Sequence, residues 1–431
     1  MMKSLGFNSK VIVFVLMVIF LSGYIWIQRL ATYHSEFSDI LYYGVRDEKG
    51  PMGSDLDNQQ LTSSIDKLVQ TVMTASLVKI PQLKSSSSSY HHNNSDHNLT
   101  VIVHTSLSHF ERRQIIRDTW GGWLRDNGQQ VFFIIGSSNQ STILHEVRQK
   151  LRKEHQLYGD IIEYDFIDSY RNLTLKTLLT LRFFNEKILK LRTKGKQVRW
   201  SLNYTNPAAI VEPMIRRTQY LLKTDDDVVY HPGHLLRWRD YVPEKIMGTP
   251  NDTKYYRGMI VGNVVSHIAP NRDESSKYVM TKEMYPGEKY PNFVSGTGYL
   301  MSEDVARSLF ITAVLAKRCK FLPLEDVFLG LCATKSVRMI DPYTYSKDDY
   351  LDARMIAHDG FIVDDLHSGF DFCHYYTPYL IKISHDLKPS LMKSVWRKLN
   401  SSEDEIEKEC GKKKISTDNF SAYPLEHFFV P

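Results

Sequence analysis

Three consecutive carboxylates interrupt an apolar run at Leu221 to Tyr230, LLKTDDDVVY. The flanking Leu221, Leu222, Val228, Val229 and Tyr230 have the composition of a buried strand, where charges are costly unless something neutralises them. In extended chain Asp225 and Asp227 point to one side and Asp226 to the other, so the first and third acids converge on one ligand. Hard carboxylate oxygens select magnesium or manganese. A solvated acidic turn is the plainer reading of a bare triplet, but the apolar flanks favour a divalent cation held by Asp225 and Asp227.

Other groups have the right types to complete a site. In LPLEDVFLGLC, Glu325 and Asp326 stand just ahead of an apolar helical segment, where acids serve capping and the helix dipole. One of them could instead act as a general base toward an incoming hydroxyl. Arg113 and Arg117 in FERRQIIRDTW lie four residues apart and share a helical face, a spacing that suits a phosphate as well as a solvated basic surface. Lys223, two residues before the acids, and Lys176 in NLTLKT add cations for a diphosphate. Gly296 and Gly298 in YPNFVSGTGYLMS read as a loop that lets backbone approach a ligand, or equally as a structural turn.

The elements around these residues alternate. LTVIVHTS, QVFFIIGSS and DIIEYDF read as strands. HFERRQIIRDTWGGWL, TILHEVRQKLRKEH and NLTLKTLLTLRFFNEKILKL read as helices between and after them. This order predicts an α/β fold with a mostly parallel, doubly covered sheet, and such sheets bind ligands at the carboxyl ends of their strands. The DDD strand follows, with its acids at or just beyond its end. A basic and polar segment at about 192–217 separates the last helix from that strand and reads as an insertion.

With 431 residues, 42% of them hydrophobic, the chain can bury a large core. A net charge of +5 spread along this length gives no electrostatic footprint for nucleic acid. Val11 to Ile27 is a nearly unbroken apolar run, longer than the core of a cleaved signal, with Tyr24 and Trp26 suited to a membrane interface. The expected organisation is a cytosolic tail at 1–10, a signal-anchor at 11–27, a flexible luminal stem at 28–97, a catalytic domain at 98–410 and a tail at 411–431. Sequons begin at Asn93, Asn98, Asn139, Asn172, Asn203, Asn251, Asn400 and Asn419, consistent with a luminal body. Cys319, Cys332, Cys373 and Cys410 can pair in three ways, and their spacing matches no zinc motif. His91, His92 and His97 fall in the polar stem, where a solvated linker is the plainer reading.

RRQIIRDTW, DFIDSYRNLTLKT, LLKTDDDVVY, YPNFVSGTGYLMS and LPLEDVFLGLC, in that order, resemble the motifs of the β-1,3-galactosyltransferase and β-1,3-N-acetylglucosaminyltransferase family, glycosyltransferase family 31. The resemblance runs from about Leu99 to Cys410. It implies a GT-A-type Rossmann-like domain and a Golgi type II membrane protein. It also implies an inverting transfer of a hexose from a UDP-sugar to the 3-hydroxyl of a glycan on glycoprotein or glycolipid. Galactose is favoured over N-acetylglucosamine and N-acetylgalactosamine. The implied Mn2+ ligands are Asp225, Asp227 and His385, the last from LIKISHDLKPSLMKSVW. Asp326 is the implied base, with Glu325 as the fallback. Arg113, Arg117, Lys176, Lys223, Asp225 and Asp226 are expected around the donor. Val294 stands where many relatives have a cysteine, and Cys319 where many lack one, so a rearranged disulfide pattern is expected. A glycoside hydrolase would use paired carboxylates without the metal pair. The non-enzyme alternative is an inactive relative serving as a luminal glycan-binding or chaperone-like protein.

Overall fold

The computed structural model describes residues 67–79, 98–137, 141–192, 219–236, 239, 259–335, 354–357, 382–383, 387–401 and 403–410. All of them belong to the compact unit Leu61–Pro431. The expected anchor at 11–27, most of the 192–217 segment, Cys373 and His385 lie outside the described residues. Among the described residues no helix is long and apolar enough to cross a membrane.

The strands are β1 (Leu77–Lys79), β2 (Asn98–His104), β3 (Gln130–Ser137), β4 (Ile161–Ile167), β5 (Gln219–Asp225), β6 (Val229–Tyr230), β7 (Met259–Val265), β8 (Phe293–Ser302), β9 (Arg354–Ala357) and β10 (Lys382–Ile383). The helices that matter here are α1 (Phe110–Asp118), α2 (Trp120–Asp126), α3 (Ser141–Tyr158), α4 (Leu173–Arg192), α5 (Glu303–Phe310), α6 (Glu325–Thr334) and α7 (Pro389–Leu399). Eight strands form one sheet in the order β1-β4-β3-β2-β5-β8-β7-β9, while β6 and β10 make a separate ribbon. Pairing is parallel from β4 through β3 and β2 to β5, and again between β7 and β9. β8 runs antiparallel between β5 and β7, and β1 antiparallel along β4. The α/β, mostly parallel expectation is met, with β8 and the short edge strand β1 reversed.

Both faces of the sheet are covered, as an apolar run such as Val131 to Ile135 requires. Alternation along β2 sends Ile102 into one core with α4 and α5, and Val101 and Val103 into the other with α1, α2 and α7. The predicted first helix divides at Thr119 into α1 and α2. There the chain folds back so tightly that a Cβ on Gly122 would lie 2.1 Å from the Arg117 carbonyl oxygen, and only glycine fits.

Part of the expected stem is folded. Residues 67–74 are helical, β1 pairs with β4, and Val69, Val72 and Ala75 are buried against the core. The Arg182 guanidinium donates to the Val72 and Ala75 carbonyls at 2.7 and 3.0 Å, locking the segment to α4. Its signal was the run of apolar positions at 68, 69, 72 and 73, masked by polar neighbours. Cys319 pairs with Cys332, tying the chain after α5 to α6.

Candidate active site

The chain lays down β2, β3 and β4 in one direction across the sheet, then returns to place β5 on the other side of β2. This reversal opens a crevice at the carboxyl ends of β2 and β5, the place where open α/β sheets bind ligands. β5 ends on Asp225, and Asp226 and Asp227 occupy the turn to β6. The pleat therefore does not orient the last two acids, as extended chain would. Instead, Asp226 is drawn inward: its carboxylate accepts from Thr105 Oγ1 at 2.6 Å and from Arg112 at 2.9 Å, and meets His109 Nδ1 at 2.7 Å. These bonds hold its pKa below the ordinary value although burial opposes them. Asp225 and Asp227 stay on the open side, with side chains 37% and 24% exposed. The turn is fixed from beneath by Trp120, whose indole N–H donates to the Val228 carbonyl at 3.1 Å and whose ring meets Tyr230 edge-on.

The second acid pair arrives on α6. Glu325 is buried, accepting from Lys223 at 2.8 Å and from the hydroxyls of Thr177 and Tyr299 at 3.1 Å each. Asp326 accepts from its neighbour's backbone N–H, Val327, at 2.8 Å and from the Gly296 N–H of β8 at 3.3 Å. Burial raises the pKa of both carboxyls, and for Glu325 this outweighs the pull of Lys223. Asp326 thus combines a raised pKa with hydrogen bonds from backbone alone, in a residue that is half-buried where Glu325 is fully buried. That is the profile of a proton acceptor; Glu325, enclosed on three sides, has the profile of a brace.

Lys223 joins the two pairs. Its ammonium lies 3.0 Å from Asp225, 2.8 Å from Glu325 and in a short hydrogen bond to the Gly296 carbonyl. Burial would lower its pKa, but the two carboxylates raise it. Lys223 is 2% exposed, so it links β5, β8 and α6, and the expected diphosphate contact is corrected to an internal one. Lys176 is also buried, donating to Asp168 at 2.7 Å and the Thr105 carbonyl at 3.0 Å. Arg113 and Arg117 fit neither a phosphate site nor a solvated face. Arg113 is bound by Glu154 and the Ser106 and Leu107 carbonyls, and Arg117 by Glu154 and Asp160. Their shared face turns inward because α3 and the residue just before β4, Asp160, supply the matching carboxylates.

The two glycines are likewise corrected. Both lie within β8, and protein fills the space above them: a Cβ on Gly296 would meet Glu325 Oε1 at 2.6 Å, and one on Gly298 would meet Tyr230 Oη at 2.3 Å. Thr105, His109, Arg112, Thr177 and Tyr299 were missed as site residues. No sequence spacing marks them, since the Thr105 to Asp226 bond spans 121 positions.

Two carboxylates on the open side of a strand end suit a hard cation that takes its other ligands from phosphate and water. Among the described residues no three His, Cys, Asp or Glu side chains are grouped to hold a metal, and the implied third ligand His385 is outside them.

A galactosyltransferase family model matches residues 111–196 and 209–341, and the break between them falls inside the segment read as an insertion. β-1,3-Galactosyltransferase 1 of Homo sapiens is 29% identical over 305 residues, covering 70% of this chain and 74% of that protein. Lactosylceramide 1,3-N-acetyl-β-D-glucosaminyltransferase B of Danio rerio is 32% identical over 240 residues, covering 54% of this chain and 53% of that protein. β-1,3-Galactosyltransferase 5 of Homo sapiens is 32% identical over 236 residues, covering 54% and 62%.

Proposed function

The chain belongs to the galactosyltransferase family, glycosyltransferase family 31, and is a glycosyltransferase; on that premise we propose an inverting, metal-dependent β-1,3-hexosyltransferase with a GT-A-type domain. The donor is a UDP-sugar, with galactose favoured over N-acetylglucosamine and N-acetylgalactosamine. The acceptor is the 3-hydroxyl of a glycan on glycoprotein or glycolipid. The observation that carries this reading is the convergence, through Lys223, of the Asp225–Asp227 turn and the α6 carboxylates at one edge of the sheet.

Asp225 and Asp227 would hold a divalent ion, Mn2+ by family resemblance, together with the donor diphosphate. When bound, such an ion acts as a Lewis acid toward the charge that develops on departing UDP. Asp226, fixed by Thr105, His109 and Arg112, keeps its neighbours aimed outward. Asp326 takes the proton from the acceptor hydroxyl as that oxygen bonds to the anomeric carbon from the face opposite UDP. The bond to UDP breaks with its electron pair, and the configuration inverts. Lys223 and Glu325 hold α6 so that this carboxylate stays beside the donor.

We place residues 11–27 in the Golgi membrane as a single-pass type II anchor with the enzyme domain luminal. The Cys319–Cys332 disulfide supports an oxidising compartment. The test is UDP release by the full chain in detergent from UDP-galactose, UDP-N-acetylglucosamine and UDP-N-acetylgalactosamine, against a panel of sugar acceptors, with and without chelator. Asp326→Asn should lower turnover by roughly 10²- to 10⁴-fold at unchanged UDP affinity. Loss of UDP binding in that variant, with the melting temperature held, would remove Asp326 from the role of base.

A further inference from the structure

Five large apolar side chains are strongly exposed among the described residues; Leu157 stands apart on α3, and the other four fall at two places. Ile167 ends β4 and Tyr170 follows it, at 44% and 43% exposed, and Ile268 and Tyr278 lie in the connection from β7 to β8, at 48% and 43%. β4 and β7 are separated by four strands, a span of about 24 Å at ordinary strand spacing. Both connections nevertheless leave the same edge, because β7, like β5, runs antiparallel to β8. They meet there: the rings of Tyr170 and Tyr278 make an edge-to-face contact with centroids 6.2 Å apart. The Lys277 ammonium sits over both rings, 4.8 Å from the Tyr278 centroid and 5.8 Å from that of Tyr170.

We propose that Tyr170 and Tyr278 form a stacking platform for a pyranose ring of the acceptor glycan, with Lys277 placed to engage its hydroxyls. Both tyrosines remain 43% exposed with the Lys277 ammonium over their rings; exposed apolar surface of this kind is kept mainly for ligands, and the ring C–H groups of a sugar provide a matching apolar face. The location assigns the platform to the acceptor. Tyr170 stands just before α4, whose Thr177 hydroxyl donates to Glu325 at 3.1 Å, and β4 runs parallel to β5, so its connection leaves the sheet at the same edge as the Asp225 turn. A hydroxyl handed to Asp326 belongs to a sugar lying on this side of the carboxylates.

The platform is held in shape. Arg272 donates to the Met280, Tyr285 and Gly287 carbonyls at 2.6, 2.9 and 2.8 Å, cross-bracing the β7–β8 connection. The Tyr278 N–H bonds Ser276 Oγ at 3.1 Å, and the Met280 N–H bonds the Asn271 carbonyl at 2.8 Å. A connection this long without helix or strand is usually functional, and this one is rigid where Tyr278 stands. Tyr290, near its end, has a buried hydroxyl with no hydrogen-bond partner among the described residues and a pKa pushed up to about 12, by burial first and with a contribution from Asp326.

The inference rests on the transferase reading, and the experiment separates the two. Full-length protein in detergent, with UDP and Mn2+ present, is applied to an array of β-galactosides and β-N-acetylhexosaminides, and UDP affinity is measured on the same preparations. Tyr170→Ala and Tyr278→Ala should each weaken glycan binding about tenfold at unchanged UDP affinity, and Tyr278→Phe should keep it. Glycan binding equal to wild type in both alanine variants, or a wild type that binds no arrayed glycan, overturns the platform. Weakened UDP binding with glycan binding intact also overturns it, by assigning the rings to the nucleotide. Tyrosine-dependent glycan binding in a protein that releases UDP from none of the three donors would uphold the platform as a glycan site and remove the UDP-hexose transfer proposed above.

Discussion

The residue that decides the character of the site is Lys223, a buried ammonium that a surface view would have assigned to substrate. Removing it leaves the Glu325 carboxylate enclosed without its counter-charge. Lys223→Met should therefore cost about 3–5 kcal/mol of stability, and adding Glu325→Gln should recover most of it, read by denaturant melts of the single and double variants. The pH dependence of turnover belongs to Asp326. Only the ionised carboxylate accepts a proton, and burial raises its pKa, so the acid limb of the rate profile should lie above the ordinary value of 3.8. A limb at or below that value in the kcat profile would point to another base.

At the scale of elements, β8 must pass close to Tyr230 and to Glu325, and its glycines permit this. Gly298→Ala would drive a methyl to 2.3 Å from the Tyr230 hydroxyl, in a crowded space shared with Thr224. Its melting temperature should fall, and Tyr230→Phe in the same chain should restore part of the loss by removing that oxygen. The Cys319–Cys332 bond closes a loop of sequence separation 13 and attaches α6, with its carboxylates, to the segment after α5. Reduction should cost about 3 kcal/mol by the chain-entropy estimate, seen as a lower midpoint in denaturant with dithiothreitol.

For the whole molecule, acid sensitivity follows from groups buried in a fixed protonation state. His104 lies at the end of β2, its Nε2 2.9 Å from the Thr180 hydroxyl, and its pKa is well below 6.5, through burial first and then Lys223 and Lys176. The unfolded chain takes up this proton as pH drops through about 6.5 and the folded chain does not, so stability from His104 is present above that pH and lost below it. His104→Gln should flatten the stability profile between pH 7 and 5, measured by urea midpoints. Asp160, held by Arg117 and Arg125 against the effect of burial, has a lowered pKa and contributes a second loss only in stronger acid, below its ordinary value of 3.8.

Local pattern alone was enough to establish the α/β order, the strand ending in acids, the helix that begins at Glu325 and the family itself. Each rests on short-range periodicity or on motifs read within a few residues, which the chain carries whatever its fold. Which cations face a ligand was not legible. Arg113, Arg117, Lys176 and Lys223 differ from surface cations only in having carboxylates waiting across the core, and those partners are set by packing. The helix and strand at 67–79 were hidden for a similar reason, because a short amphipathic segment becomes ordered only when a sheet edge and an arginine on α4 receive it. The meeting of Tyr170 with Tyr278 lay further still from view, since two connections separated by most of the sheet come together only once every strand between them has been laid down.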